Sequence, residues 1–204
     1  VQCGGSLLLT NGSLLCVYSG PTNTGAPTAW SALISVGGET LVGSNAVIYL
    51  YSHPTNGGAP ILRTGSLRIV GSGSINADSG GFIGLGLSGA KGYGPGGGSG
   101  SHQAGGGYGG QGGALGIGVR GLPYGDSNAP VSPGSAGGAH VSVGYPGGAG
   151  GGGVRFEATT SIDVDGTITA DGAVTGPNSS SGAGSGGGIY LRCETFAGNG
   201  GTIR

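Results

Sequence analysis

The sequence predicts an all-β protein, a parallel, right-handed β-helix in which successive turns of the chain stack short strands. Three observations predict this fold class. Short apolar runs alternate with polar residues and are separated by Gly and Asn. A weak internal repeat recurs on both sides of the middle of the chain. Of the 56 glycines, 30 lie in residues 84–153, which we interpret as an ordered insertion in the solenoid.

The strands follow from apolar alternation with glycine as punctuation, and no stretch has a helical period with caps. We predict three regions in one continuous structural domain: N-terminal β-rungs at 1–83, a glycine-rich insertion packed on the solenoid at 84–153, and C-terminal β-rungs at 154–204. The strands expected in the first region are residues 6–9, 14–18, 32–36, 46–51, 61–63, 66–70 and 74–77. Those expected in the last region are residues 154–158, 161–164, 167–170, 189–193 and 201–203.

The internal repeat pairs a short strand with a second strand after a glycine turn. Residues 66–78 align with residues 161–172, and residues 195–204 form a third, shorter copy. Alternation places Ile162 and Val164 on the inner face of such a strand. A pair of short strands cannot bury its apolar face alone, so the copies must stack.

The glycine content requires dense backbone hydrogen bonding. Glycine loses more conformational freedom on ordering than any other residue, and backbone bonds must recover that loss. Stacked β-rungs and bundles of polyproline-II-like strands both provide such bonds. Collagen is excluded, because the glycine runs 96–98 and 105–107 break the required spacing of three.

Low charge and small side chains limit the classes of function that the chain can have. Charged residues make up 7% of the chain and the net charge is −1, which excludes a nucleic-acid partner. The sequence contains no run of about 18 apolar residues, so we expect no membrane insertion. The chain has no Met and starts at Val1, which fits a processed or excised segment. We expect no cofactor and no enzyme activity, because a glycine-rich chain offers few rigidly held side chains.

Three cysteines and two sequons are candidate modification sites. An odd number of cysteines suggests one intrachain disulfide and one thiol that is free or pairs between chains. Cys3 and Cys16 are the natural local pair, with Cys193 left over, and three buried reduced thiols are the alternative. Asn11 and Asn178 begin N-x-S sequons that would accept glycans in a eukaryotic secretory pathway.

A group of carboxylates suggests two further chemistries. Asp163, Asp165 and Asp171 offer oxygen ligands to Ca²⁺, although no calcium-binding repeat is present. With an arginine from Arg68, Arg155 or Arg192, they would also suit the acid–base chemistry of a polysaccharide-cleaving β-helix. Solvated carboxylates on the outer face are the simpler interpretation.

Aromatic residues in the glycine-rich region are candidate contact sites for glycans or for another subunit. They are Tyr93, Tyr108, Tyr124 and Tyr145. A flat ring beside bare backbone can stack on a sugar or on a second protein surface. Anchoring the insertion onto the β-helix is an equally good interpretation. Trp30 is either an interface anchor or a cap over the first rungs.

These motifs together resemble the glycine-rich β-helical repeat modules of very large secreted and surface proteins. The resemblance covers about residues 66–204. It rests on the glycine–tyrosine runs at 92–98 and 107–113, the motif at 123–126, and the pairing of 168–172 with 186–191. It implies an extracellular or cell-surface scaffold, structural or adhesin-like, and no catalytic residues.

The chain departs from this resemblance at its end. Such repeats close their second strand with a T-I-x-A-N-G-G pattern, whereas this chain ends at Thr202, Ile203 and Arg204. The opening residues of another copy would supply the closure: Val1, Gln2, Cys3, Gly4 and Gly5. We therefore predict an extracellular structural protein that self-assembles head to tail into a filament, sheath or surface layer. An adhesin or glycan-binding module is the alternative, and an ice-binding or polysaccharide-degrading β-helix is a third class.

Overall fold

A computed structural model describes residues 1–21, 31–99, 104–115, 117–140, 145–175 and 180–204. These residues contain strands and turns and no helix, so none of them form a helix that could cross a membrane. The thirteen strands are β1 (Gln2–Cys3), β2 (Leu7–Leu9), β3 (Leu14–Tyr18), β4 (Ala32–Val36), β5 (Glu39–Val42), β6 (Val47–Tyr51), β7 (Pro60–Ile69), β8 (Ser74–Asn76), β9 (Val154–Val164), β10 (Thr167–Thr169), β11 (Ile189–Arg192), β12 (Thr195–Ala197) and β13 (Thr202–Ile203).

The strands form two parallel sheets. The first has eight strands, β1, β2, β4, β5, β7, β9, β11 and β12, and the second has five, in the order β13-β10-β8-β6-β3. Each pass of the chain adds to the first sheet and then to the second. Five passes result, and β7 and β9 belong to the third and fourth, which pair with each other.

The prediction of a β-helix is wrong. The described strands pair into two parallel sheets, and no further sheet among the described ranges closes them into a solenoid. Two expected corners are absent, because β7 and β9 each run on where the sequence predicts two short strands. At Gly65, where the sequence predicts a corner, β7 continues with a register shift between Thr64 and Ser66. Such a bulge lets a strand bend without ending.

Side chains from both sheets form one apolar core. Ile48, Phe156, Ile162 and Ile168 are completely buried, as period-two alternation requires. Thr40 and Thr64 are buried polar residues on two adjacent strands of the first sheet. Their hydroxyls lie 2.9 Å apart and hydrogen bond to each other, which satisfies both groups without water.

The glycine-rich part of the structure comprises the described residues of 84–153 together with residues 182–188. Its segments are joined by backbone hydrogen bonds at every third residue. In the segment 148–154, the N–H groups of Gly148, Gly151 and Val154 donate to segment 182–188 over 2.8–2.9 Å. Every third N–H of 182–188 donates in turn to segment 132–138, at 2.9–3.0 Å, and 132–138 donates back to 148–154. Bonds in several directions at every third residue indicate extended chains with three residues per turn, as in polyproline II.

Close approach of these segments requires glycine. A Cβ on Gly150 would lie 1.9 Å from the carbonyl oxygen of Gly134, and one on Gly147 would lie 2.0 Å from that of Gly137. No side-chain rearrangement relieves these contacts, since both partners are backbone. The glycines therefore build an interior from backbone atoms, continuous with the sheets at Val154.

Candidate functional site: the two sheet edges

The outermost strands define two opposite ends of the molecule. The N-terminal edge consists of β1, β2 and β3, which pair only with β4, β5 and β6. The C-terminal edge consists of β11, β12 and β13, which pair only with β9 and β10. Their outer sides carry no further strand among the described residues. Unpaired parallel backbone at both ends is a template for another chain.

The C-terminal edge exposes side chains that belong to the core. Phe196 pairs with Ile162 and Ile203 pairs with Ile168, and both partners are completely buried. Phe196 is nevertheless 55% exposed and Ile203 44% exposed, because no strand among the described residues pairs with the outer side of β12 or β13. An open cavity of about 300 Å³ lies between these two side chains and the turn at residues 198–201.

The turn at residues 198–201 is well fixed. Gly198 and Gly200 have φ values of 155° and 84°, and the second is a left-handed conformation that favours glycine. The N–H of Asn199 donates a 2.6 Å hydrogen bond to Oδ1 of Asp165. Asp165 is therefore a turn-holding residue in this structure.

The N-terminal edge is also apolar, but its core residues are better covered. Leu9 and Val17 are nearly buried, whereas Leu8 and Leu14 are exposed. The amino group of Val1 donates to the carbonyl oxygen of Leu33 at 2.8 Å, which ties the chain start to β4. The structure thus places the residues predicted for assembly on outermost elements at opposite ends: Val1, Gln2, Cys3, Gly4 and Gly5 at one, and Thr202, Ile203 and Arg204 at the other.

The strand registers align the two edges column by column. One column runs through Leu7, Thr40, Leu67, Ile162 and Phe196. A second column in the other sheet runs through Leu14, Val47, Ser74, Thr167 and Thr202.

The corners at the two edges also correspond in length. Residues 10–13 join β2 to β3, and residues 198–201 join β12 to β13, so each corner has four residues. A second copy placed on the C-terminal edge would therefore continue both sheets in register.

A charged groove crosses the first sheet beside the C-terminal edge. Glu157 accepts hydrogen bonds from Arg63 at 2.9 Å and from Arg155 at 2.6 Å, and the open groove around it, which Arg192 also lines, has a volume of about 600 Å³. Burial alone would raise the pKa of Glu157, but the hydrogen bonds from the two arginines outweigh it and lower the pKa below its ordinary value. The carboxylate is held ionised between two cations, an arrangement that stabilises strand pairing.

Of the predicted aromatic contacts, two pack inside the glycine-rich part. Tyr108 and Tyr124 meet edge to face with ring centres 5.1 Å apart. The Tyr124 hydroxyl donates to the carbonyl oxygen of Pro133 and accepts from Ser135 Oγ. Burial raises the pKa of Tyr124 to about 12. These contacts join segments of the glycine-rich region to one another. Glycan contact and anchoring onto the sheets both stay predictions for these tyrosines.

The remaining predicted aromatic contacts differ in position. Tyr93 is half-buried and its backbone bonds to Ile83 and Ala136, whereas Tyr145 is about half exposed. Trp30 lies outside the described residues.

Sequence reasoning missed an aromatic stack on the outer face of the second sheet. Tyr18 and Tyr51 are paired residues on β3 and β6, and their rings stack 4.7 Å apart at an angle of 9°. Tyr49 lies beside Tyr51 at 6.3 Å with a nearly parallel ring. The available signal was the Tyr49-x-Tyr51 alternation, which places both rings on one face of a strand.

The described candidate modification sites lie at the two edges: Cys3, Asn11 and Cys16 at the N-terminal edge and Cys193 at the C-terminal edge. All three cysteines are free thiols: Cys16 is exposed on β3, and Cys3 and Cys193 are half-buried at opposite edges. Asn11 adopts φ 55° in the exposed corner after β2. Asn178 lies outside the described residues.

The carboxylates proposed for calcium or catalysis are separated by their partners. Asp163 lies 4.0 Å from Arg68, and Asp171 forms a 3.2 Å ion pair with Arg204. No group of three His, Cys, Asp or Glu side chains in the described part of the chain is arranged to hold a metal ion.

Comparison with known proteins adds no relative. No family model, curated protein or solved structure matches this chain. The resemblance to glycine-rich repeat modules therefore stays a prediction based on the motifs alone.

Proposed function

We propose that this is an extracellular structural protein that self-assembles head to tail, the C-terminal edge of one copy receiving the N-terminal edge of the next. One observation carries the proposal: Phe196 and Ile203 occupy core positions of the two sheets and lie exposed at the C-terminal edge. A further parallel strand on each sheet would bury them as Ile162 and Ile168 are buried.

The polarity of the sheets favours an open assembly. The paired strands β1 to β13 are all parallel, so the two edges are not equivalent. In a head-to-tail contact, the C-terminal edge of one copy therefore meets the N-terminal edge of the next. Such heterologous contacts generate filaments when the rotation between subunits does not close a ring. Lateral association of the filaments would give a sheath or a surface layer.

The glycine-rich part supports a structural role. Its backbone groups bond to one another across three segments, and its surface offers few charges for other partners. Dense backbone bonding leaves few open segments for proteases. This resistance suits a protein that works outside the cell.

Sedimentation velocity and electron microscopy of the 204-residue chain in reducing buffer test the proposal. We expect filaments that lengthen with protein concentration. Five strands per copy at about 4.8 Å each give an axial repeat of about 24 Å. A strictly monomeric protein at about 1 mM would contradict it, since that limit corresponds to less than about 4 kcal/mol of association free energy.

Glycan binding is a second candidate function, favoured by the Tyr18, Tyr49 and Tyr51 stack. Tyr18 is exposed and stacks on the half-buried Tyr51, so the outer face of the Tyr18 ring is open to a sugar ring. A glycan array probed with the parent protein, Tyr18→Ala and the control Tyr145→Ala distinguishes the two functions. Binding lost only in Tyr18→Ala supports the glycan site, and equal binding by all three proteins excludes it.

A further inference from the structure

We infer that Cys193 of one copy and Cys3 of the next form a disulfide across the junction between copies. This inference rests on the proposed head-to-tail assembly and specifies how it is locked. The two thiols lie at opposite ends of the same molecule, and neither forms a disulfide within the chain. The Cys3 thiol donates only a weak hydrogen bond to the carbonyl oxygen of Ser6, at 3.8 Å.

The strand register places both cysteines at one position of the first sheet. A single column runs through Gln2, Ser35, Arg63, Glu157 and Arg192 by direct pairing. Cys3 and Cys193 each follow the first and last member of this column by one residue. A second copy stacked in register therefore brings its Cys3 next to Cys193.

The distances fit an intermolecular bond and exclude an intramolecular one. Adjacent strands lie about 4.8 Å apart, which is within the Cα separation of about 4.4–6.8 Å that disulfides span. Within one copy, Cys3 and Cys193 are separated by four strand spacings, or about 19 Å. Only a neighbouring copy can supply the partner.

The local environment suits both thiols. Cys3 is the last residue of β1 and Cys193 directly follows β11, so neither is fixed in the middle of a sheet. Both side chains are half-buried and pack against the apolar core. Stacking would cover them further and protect the bond from reduction. Cys16 is exposed on the second sheet and lies outside this column.

The bond forms by thiol–disulfide exchange with a small-molecule disulfide. The Cys193 thiolate attacks that disulfide, forms a mixed disulfide and releases one small thiol. The Cys3 thiolate of the next copy then displaces the second small thiol and leaves the protein disulfide. Two protein thiols are oxidised, the small disulfide accepts their two electrons, and their two protons end on the released thiols. An oxidising extracellular environment would favour this product.

Single-thiol variants test the inference with oxidised glutathione as oxidant. The Cys3→Ser/Cys16→Ser protein retains only Cys193, and the Cys16→Ser/Cys193→Ser protein retains only Cys3. Mixed together, they should form a disulfide dimer at least about tenfold faster than either forms one alone, because only the mixture contains both members of the junction. Alanine versions of the same variants cover the case in which serine disturbs the fold.

The matched control is Cys16→Ser, which retains both junction thiols. Non-reducing gels should show a ladder of covalent oligomers for the parent and for Cys16→Ser, and mass spectrometry should identify the Cys3–Cys193 peptide. Equal rates for mixed and unmixed variants, or a ladder that requires Cys16, would overturn the inference.

Light scattering in reducing buffer separates this inference from the proposed assembly. Growth of oligomers in reducing buffer without a ladder on oxidation removes the disulfide and keeps the assembly. A ladder without growth in reducing buffer supports the junction thiols and shows that noncovalent contacts alone are too weak. Absence of both results refutes both.

Discussion

Replacing Phe196 with Ser should weaken assembly without unfolding the monomer. Phe196 pairs with Ile162 on β9 and is 55% exposed in the single chain. A phenylalanine buries about 150–250 Å² when fully covered, so stacking would remove about 100 Å² of this ring from water. At about 25 cal/mol per Å², that area contributes about 2.5 kcal/mol. The association constant should therefore fall about 60-fold.

The assay is the critical concentration for assembly in reducing buffer, measured by light scattering and sedimentation velocity. Leu87→Ser is the matched control. Leu87 is 67% exposed in the glycine-rich part and belongs to neither sheet, so its replacement removes a similar apolar surface from another face. Circular dichroism and thermal unfolding of both variants check that the monomer remains folded.

The outcome that contradicts the reasoning is specific. If Phe196→Ser and Leu87→Ser raise the critical concentration by the same factor, apolar surface in general drives association and the C-terminal edge has no special role. If neither variant changes it, assembly does not use this edge. If only Leu87→Ser changes it, the glycine-rich face is the contact surface.

Three further predictions concern the folded monomer. Glu157 has a lowered pKa in the folded state, so its contribution to stability is present above the ordinary pKa of 4.5 and is lost as the pH falls through the lowered value. In urea unfolding from pH 7 to pH 3, the free energy of unfolding should therefore fall less for Glu157→Gln than for the parent protein. Tyr124 should ionise near pH 12 in an absorbance titration, and Tyr124→Phe should lose that transition and about 1–3 kcal/mol of unfolding free energy, since it leaves a buried carbonyl unpaired. Gly150→Ala should cost about 3 kcal/mol or more by steric overlap, whereas Gly113→Ala, with no atom within 4 Å of its added Cβ, should change stability by about 0.5 kcal/mol or less in thermal unfolding.

The sequence predicts the strands well where alternation is strong. Alternation predicts strands at residues 14–18 and 32–36, and β3 and β4 have those bounds. The repeat correctly aligns residues 66–78 with residues 161–172, which pair in register in both sheets. Period-two patterns fix which face of a strand is buried, and this information is local.

The same alternation does not predict where a strand ends at a corner and where it continues. The sequence predicts corners near Gly65 and Thr159, but β7 and β9 pass these points as continuous strands with a bulge between them. Whether a chain bends or bulges at a small residue depends on the neighbouring strand. That neighbour lies 94 residues away for the Arg63 and Glu157 pair.

The assembly residues expected at the two ends of the chain stay a prediction, and the sequence does not reveal which core side chains are exposed there. The third copy of the repeat covers residues 195–204, and the edge strand β13 lies within it. The exposure of Phe196 depends on which strand is outermost, which only the sheet order reveals. The period-three bonding of the glycine segments has no side-chain signature, since glycine carries no pattern of apolar and polar faces.

An interior built from backbone has a thermodynamic consequence. Exposing apolar surface raises the heat capacity on unfolding, whereas exposing polar peptide groups lowers it. The segments 132–138, 148–154 and 182–188 bury mainly peptide groups, so they contribute little to the heat-capacity change, and the sheets contribute most of it. A small heat-capacity change flattens the curve of stability against temperature. The protein should therefore keep a nearly constant margin of stability from cold to warm conditions.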